Sequence, residues 1–133
     1  AIIERLCRDV VEIQAMGIGV AAIMSNDPQA YPEDSFPNMQ KLAKTLNFTF
    51  PYLYDPTQSV ARDYGAVCTP DFFGFNKDLE LQYRGRLDSS GIAPAGPDAQ
   101  RELVDAMRLI AATGRGPDEQ VASIGCSIKW LSQ

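Results

Sequence analysis

Val67-Cys68-Thr69-Pro70-Asp71-Phe72-Phe73-Gly74-Phe75-Asn76-Lys77-Asp78-Leu79-Glu80-Leu81-Gln82-Tyr83-Arg84-Gly85-Arg86-Leu87 is the stretch on which the fold turns. Phe72–Phe75 and Leu79–Leu87 are strand-like arms on either side of Asn76-Lys77-Asp78, a pattern that predicts a hairpin. Strand side chains alternate between faces. On the second arm Leu79, Leu81, Tyr83 and Leu87 therefore share one face, and Glu80, Gln82, Arg84 and Arg86 share the other.

Upstream, helices and strands alternate. Ile3, Leu6, Cys7, Val10, Ile13 and Met16 recur at helical spacing over 1–16, with Arg5, Arg8, Asp9 and Glu12 on the opposite face and Gly17 ending the helix. Ile18–Met24 is an unbroken apolar run of strand length, the pattern of a strand covered on both faces. A proline-punctuated loop, 25–37, precedes a second helix over 35–46 with Ser35 as N-cap and Met39, Leu42, Ala43 and Leu46 inward. Phe50–Tyr54 reads as a strand. Asp55-Pro56-Thr57-Gln58 then reads as a helix start, with Asp55 capping and Gln58 in the capping-box position. After the hairpin comes a Gly/Pro/Ala loop over 89–97. A last helix over 98–113 carries Leu103, Val104, Met107, Ile110 and Ala111 on one stripe, and Gly114 follows it. The order α-β-α-β-α-β-β-α predicts an α/β fold with one antiparallel edge.

The chain has 133 residues, which suits one domain with a real core. Twelve Lys and Arg face 17 Asp and Glu, a net charge of −5, which argues against a nucleic-acid partner. Gly17–Met24 is the longest apolar run and falls far short of the roughly 20 residues that span a bilayer, so no membrane partner is expected. There is no histidine, which excludes a Ser-His-Asp triad, a Cys-His pair and any His-bearing zinc site. Cys7, Cys68 and Cys126 are odd in number and widely spaced. They fit free thiols in a reducing compartment, or a redox protein, rather than a secreted disulfide framework, and a cytoplasmic location is expected. Asp27, Glu33 and Asp34 supply too few oxygens at too loose a spacing for a hard cation, so no metal is expected.

Several strings together resemble one group. Val67-Cys68-Thr69-Pro70-Asp71-Phe72-Phe73 resembles the cis-proline loop of thioredoxin-fold proteins. Ser25-Asn26-Asp27, Tyr31-Pro32-Glu33-Asp34, Phe50-Pro51-Tyr52-Leu53-Tyr54-Asp55, Tyr83-Arg84-Gly85-Arg86-Leu87-Asp88 and Ile124-Gly125-Cys126-Ser127-Ile128-Lys129-Trp130 resemble the peroxiredoxin-like, redoxin or AhpC/TSA-type branch of that superfamily. The resemblance covers essentially the whole chain. It implies a thioredoxin-like three-layer sandwich: a mixed sheet with a C-terminal antiparallel hairpin and helices on both faces. Residues 1–114 form the domain in this reading, and 115–133 form a tail carrying the Gly-Cys-Ser-Ile-Lys-Trp string.

Family members carry a Cys-x-x-Cys pair at the start of their first long helix, after a central strand. The resemblance places Ala1 inside that helix, so the N-terminal strand and the pair are expected upstream of it, and 1–133 alone is expected to be inactive. The absent strand would lie between the strands matching 18–24 and 72–75, and without it two half-sheets with open edges are expected. A thiolate at a helix N-terminus is stabilised by unpaired N–H groups and the helix dipole, and a second cysteine resolves the mixed disulfide. The function implied is thiol-based oxidoreduction, by disulfide exchange or hydroperoxide reduction. The alternative is a non-catalytic binding module that uses the same loop and edge.

The implied partners are a thiol or disulfide protein or a small peroxide, with a homodimer as the assembly and no cofactor. Cys68 and Cys126 are the candidate catalytic thiols in this chain, each against a reading as a packing or tail-docking residue. Thr69 and Pro70 form the active-site loop, with a cis bond turning the Thr69 backbone toward an extended peptide or bound thiol. Arg84 and Arg86 are candidates to stabilise a thiolate or peroxide oxygen, against simple ion pairing with Asp88 and Glu80. Cys7 reads as a buried structural thiol, and Tyr52, Tyr54, Phe72, Phe73 and Phe75 as core aromatics. A Cys68–Cys126 disulfide would pin the tail over the site.

Overall fold

The computed structural model describes residues 2–94 and 96–131. Ala1, Ala95, Ser132 and Gln133 lie outside the described residues, and with them one end each of the expected first helix and tail and one position of the 89–97 loop. Helix α1 (Ile2–Ala15) leads to strand β1 (Ala22–Met24), and a 3-10 turn (Pro32–Asp34) leads to helix α2 (Phe36–Thr45). Strand β2 (Tyr52–Tyr54) and helix α3 (Ser59–Tyr64) follow, then β3 (Cys68–Thr69), β4 (Phe72–Phe75) and β5 (Leu81–Gly85). Helix α4 (Glu102–Thr113) and strand β6 (Cys126–Ser127) complete the order.

The core lies where α1 and α4 pack on the hairpin. Tyr83, Leu87, Leu103, Val104, Ala106, Met107, Ile110 and Ile13 form its buried cluster, and Phe72 packs against it. Burying each large side chain here contributes about 1.5–3 kcal/mol. Ala106 takes the inward place expected of Ala111, which is exposed. Tyr64 of α3 sets its ring edge-on to Phe73 and Phe75. Since Phe72 and Phe73 point to opposite faces of β4, helices lie on both sides of the hairpin, as in a thioredoxin-like α/β fold.

The strands form three separate two-stranded ladders: β1·β2 parallel, β4·β5 antiparallel and β3·β6 antiparallel. Among the described residues no ladder joins β1 to β4, the two half-sheets expected above. Strand β1 is not covered on both faces. Ile23 is 42% exposed and its register partner Leu53 is 50% exposed, so one face of the β1·β2 ladder is open.

The hairpin also differs from strict alternation. Leu79 is 82% exposed with φ +61° in the turn, and Leu81 is exposed as well. A register shift between Gly74 and Phe75 ends the regular pairing there, so only Tyr83 and Leu87 keep the inward face. On α1 the expected polar face is partly buried. Arg5 pairs with Asp88 at 2.8 Å, and Asp9, fully buried, pairs with Arg8 at 2.8 Å and Arg101 at 2.5 Å. The helix thus holds the 88–101 segment by charge as well as by apolar packing.

Candidate functional site

Helix α3 begins later than the Asp-Pro signal predicts. Asp55 still caps it, with its carboxylate accepting from the amides of Val60 (3.3 Å) and Ala61 (3.0 Å) and from the Ser25 hydroxyl (2.8 Å). Gln58 is no capping-box residue. It sits at φ +63°, is 1% exposed, and its side chain reaches 71 and 73 residues along the chain. Gln58 Nε2 donates to the carbonyls of Ser25 (2.7 Å) and Lys129 (2.9 Å), and its Oε1 accepts from the Leu131 amide (2.9 Å). The helix closes at Gly65, whose φ of +68° suits a residue without Cβ.

The segment after Gly65 brings the candidate loop to a ladder edge. The Thr69–Pro70 bond is cis, as expected. Cys68 and Thr69 pair with Ser127 and Cys126 of the tail, so Cys126 lies directly opposite Thr69. Gly125 is required just before it, because a Cβ there would be driven into the Thr69 carbonyl. The Ile128 amide donates to the Val67 carbonyl at 3.0 Å, and the Ile128 side chain is buried. Neither two-residue strand is visible as a periodic signal in so short a stretch.

All three cysteines are free thiols. Partners directly opposite in a ladder share a face and neighbours alternate. Cys126 therefore points with Thr69, and Cys68 points to the other face with Ser127. This register corrects the expected Cys68–Cys126 disulfide, because the two Cβ vectors diverge. Cys126 is exposed, whereas Cys68 is half-buried with Sγ 3.9 Å from the Ser123 carbonyl. Cys7 is half-buried rather than buried, and burial followed by the nearby Glu4 charge pushes its thiol pKa up.

Cys68 lines a cleft of about 220 Å³ with Asp71, Arg84, Gly85 and Ser123 among its walls. Arg84 is held there by Asp71 (3.1 Å), the Gly65 carbonyl (2.8 Å) and the Phe73 ring, which lies 5.0 Å below its guanidinium. Arg86 lies apart from this cleft and is committed to Glu102 at 2.6 Å, a hydrogen bond that raises its pKa. The expected partners Asp88 and Glu80 are corrected on both counts: Asp88 holds Arg5, and Glu80 accepts from Asn76. The structure thus joins Cys68 with Arg84, and Thr69 with Cys126, and leaves Arg86 outside.

Residues missed in the sequence tie the tail down. Ser123 Oγ lies 3.0 Å from Asp71 Oδ1 and 2.7 Å from the Gly85 carbonyl. The Arg86 amide donates to the Val121 carbonyl at 3.0 Å. Asn26 Oδ1 accepts from the Lys129 amide at 2.9 Å, and Lys129 returns its carbonyl to the Asp27 amide at 2.8 Å. The Arg62 guanidinium stacks 4.8 Å over Trp130. The tail therefore runs from the hairpin, across Thr69, to the loop after β1, and links the two half-sheets. Among the described residues no group of three or more acidic or Cys side chains is placed to hold a metal ion. No helix of the described residues is long and apolar enough to cross a membrane.

The chain is similar to two solved structures. One is an uncharacterized conserved protein from Geobacillus kaustophilus, 44% identical with a TM-score of 0.89, covering 98% of this chain and 69% of that one. The other is a hypothetical protein from Sinorhizobium meliloti 1021, 37% identical with a TM-score of 0.87, covering 98% of this chain and 71% of that one. No curated protein matches. The AhpC/TSA family model matches residues 1–84, which run from α1 through the Thr69–Pro70 loop into β5, and the chain belongs to the AhpC/TSA family.

Proposed function

We propose that this chain belongs to a thiol-based oxidoreductase that exchanges disulfides or reduces hydroperoxides in the cytoplasm. Cys126 and Cys68 act as accessory thiols at the Thr69–Pro70 loop, beside a Cys-x-x-Cys pair of the kind that the family resemblance implies. The observation that carries the reading is the exposed Cys126 thiol held opposite Thr69 in a chain of this family. The half-buried Cys68 beside Arg84 adds a second thiol near a cation.

With a disulfide substrate, a thiolate attacks one sulfur and forms a mixed disulfide. The substrate S–S bond breaks, and the leaving sulfur departs as a thiolate that takes up a proton. The second cysteine attacks the mixed disulfide and releases the other half as a thiol. The protein loses two electrons and the substrate gains them. With a hydroperoxide, an S–O bond forms as the O–O bond breaks and an alcohol or water leaves. The sulfenic acid then condenses with the second thiol to give a disulfide and water. A dithiol reductant restores the pair. Arg84 contributes positive potential near Cys68, tempered by its ion pair with Asp71.

The binding-module reading needs the Thr69 edge free for a partner, and β6 occupies that edge. The test is turnover of a hydroperoxide and of a small disulfide by the full-length protein with a dithiol donor, repeated with Cys126→Ser and Cys68→Ser. Turnover that falls at least several-fold in Cys126→Ser supports the accessory role. Turnover unchanged in both variants removes Cys68 and Cys126 from the mechanism.

A further inference from the structure

A ladder edge beside a thiol site is where an extended polypeptide docks, by adding a strand. Here that edge is already filled by the chain itself. Strand β6 pairs with β3, Ile128 is buried behind it, and Gly125 lets the two backbones close up. The tail is held on both sides of this contact: upstream by Val121 on Arg86 and by Ser123 on Asp71 and Gly85, downstream by Lys129 on Asn26 and Asp27.

Gln58 completes the hold. Its amide both donates to the Lys129 carbonyl and accepts from the Leu131 amide, in a side chain that is 1% exposed. Its backbone stands at φ +63°, a conformation that is unfavourable for a residue with a Cβ and that persists only where the surroundings enforce it. Gln58 is therefore placed for its side chain.

We propose that segment 123–131 is a built-in strand that closes the Thr69 edge to extended polypeptides, and that Gln58 is the positioning residue that latches it. This deepens the oxidoreductase reading and rests on it: the site so closed admits small thiols, disulfides or hydroperoxides, and a polypeptide reaches it only after the tail leaves. The tail competes from a strong position. Its anchors at Val121 and Ser123 lie a few residues before Cys126, and so short a tether gives an effective concentration of the order of millimolar. A free peptide at micromolar concentration does not displace it.

The test uses the full-length protein, its Gln58→Ala variant and its Gly125→Val variant, with folding checked by circular dichroism. The probe is a fluorescent peptide of sequence 121–131 with Ser in place of Cys126, followed by anisotropy. In Gly125→Val the tail's own strand clashes with the Thr69 carbonyl while the probe keeps its glycine, so wild type is expected to need at least about tenfold more peptide than this variant. Gln58→Ala removes the same contacts from tail and probe, and is read instead by hydrogen exchange, where the Ile128 amide region is expected to exchange at least several-fold faster than in wild type. Equal binding by wild type and Gly125→Val overturns the proposal, as does no binding to folded Gly125→Val, and unchanged exchange in Gln58→Ala overturns the role of Gln58 as the latch. Hydrogen exchange on wild type alone keeps the question answerable if a variant does not fold. The Thr69 and Ile128 amide regions are expected to be protected together, and free exchange at both overturns the closed edge. Neither readout needs turnover, so a failure of the oxidoreductase reading leaves these results unchanged.

Discussion

Replacing Arg5 by Met removes the cation from a buried carboxylate. In the native protein Arg5 Nε meets Asp88 Oδ2 at 2.8 Å and Nη2 reaches Oδ1 at 3.3 Å. Arg5 Nη1 also donates to the Ala93 carbonyl at 2.9 Å, and Nη2 donates to the Gly91 carbonyl. The two side chains are 8% and 1% exposed. With Arg5 gone, Asp88 keeps only the Ser90 amide, at 3.0 Å, among these partners. Breaking a buried pair from one side costs about 3–5 kcal/mol, because the remaining charge is left desolvated. Urea denaturation followed by circular dichroism should show that loss as a lower midpoint with an unchanged slope. The double variant Arg5→Met/Asp88→Asn should recover part of it, so that the two single losses exceed the double loss by about 1–3 kcal/mol. A loss below about 1 kcal/mol in Arg5→Met, or strict additivity in the cycle, would refute the view that this pair is a buried anchor.

Asp55→Ala removes the acceptor for two α3 amides and for the Ser25 hydroxyl, and should cost about 1–3 kcal/mol in the same assay, against less than 0.5 for an exposed control such as Asp78→Ala. Burial, and after it the Glu102 charge, pushes the Tyr83 phenol from 10.0 up to about 12. The folded state therefore favours the neutral phenol: its contribution is full below about pH 10 and is lost as pH rises toward 12. Tyr83→Phe should flatten the alkaline loss of stability by about one proton over that window, and an unchanged pH slope would contradict the burial of the hydroxyl. Maleimide labelling at neutral pH should modify Cys126 first and Cys7 slowly, and equal rates would contradict their placement.

The fold was legible where local signals and the tertiary outcome agree. Helix α1, the Ser35 cap of α2, the hairpin around Asn76 and the glycine stops at Gly65 and Gly114 all follow from periodicity, capping and turn chemistry. What stayed hidden depends on partners far away in the chain. Arg5 and Asp9 carry the pattern of a solvated helix face, yet their partners lie 83 and 92 residues on. Gln58 fits a local capping box, but its three bonds outweigh the local turn preference and pull it into the tail contact. Leu79 and Leu81 keep strand alternation in the sequence and lose it at a one-residue register shift. At the candidate site, Thr69, Pro70 and Cys68 were visible through family resemblance. That Cys126 faces Thr69 while Cys68 points away was not, because register across a two-residue ladder leaves no mark on the sequence.

Thiol redox chemistry at the Thr69 loop is tested by giving the full-length protein a dithiol donor and a hydroperoxide or small disulfide and counting both reactants. Catalytic consumption of one dithiol per substrate molecule is expected, abolished when the protein's free thiols are alkylated beforehand. No consumption above the uncatalysed rate with either substrate would contradict it.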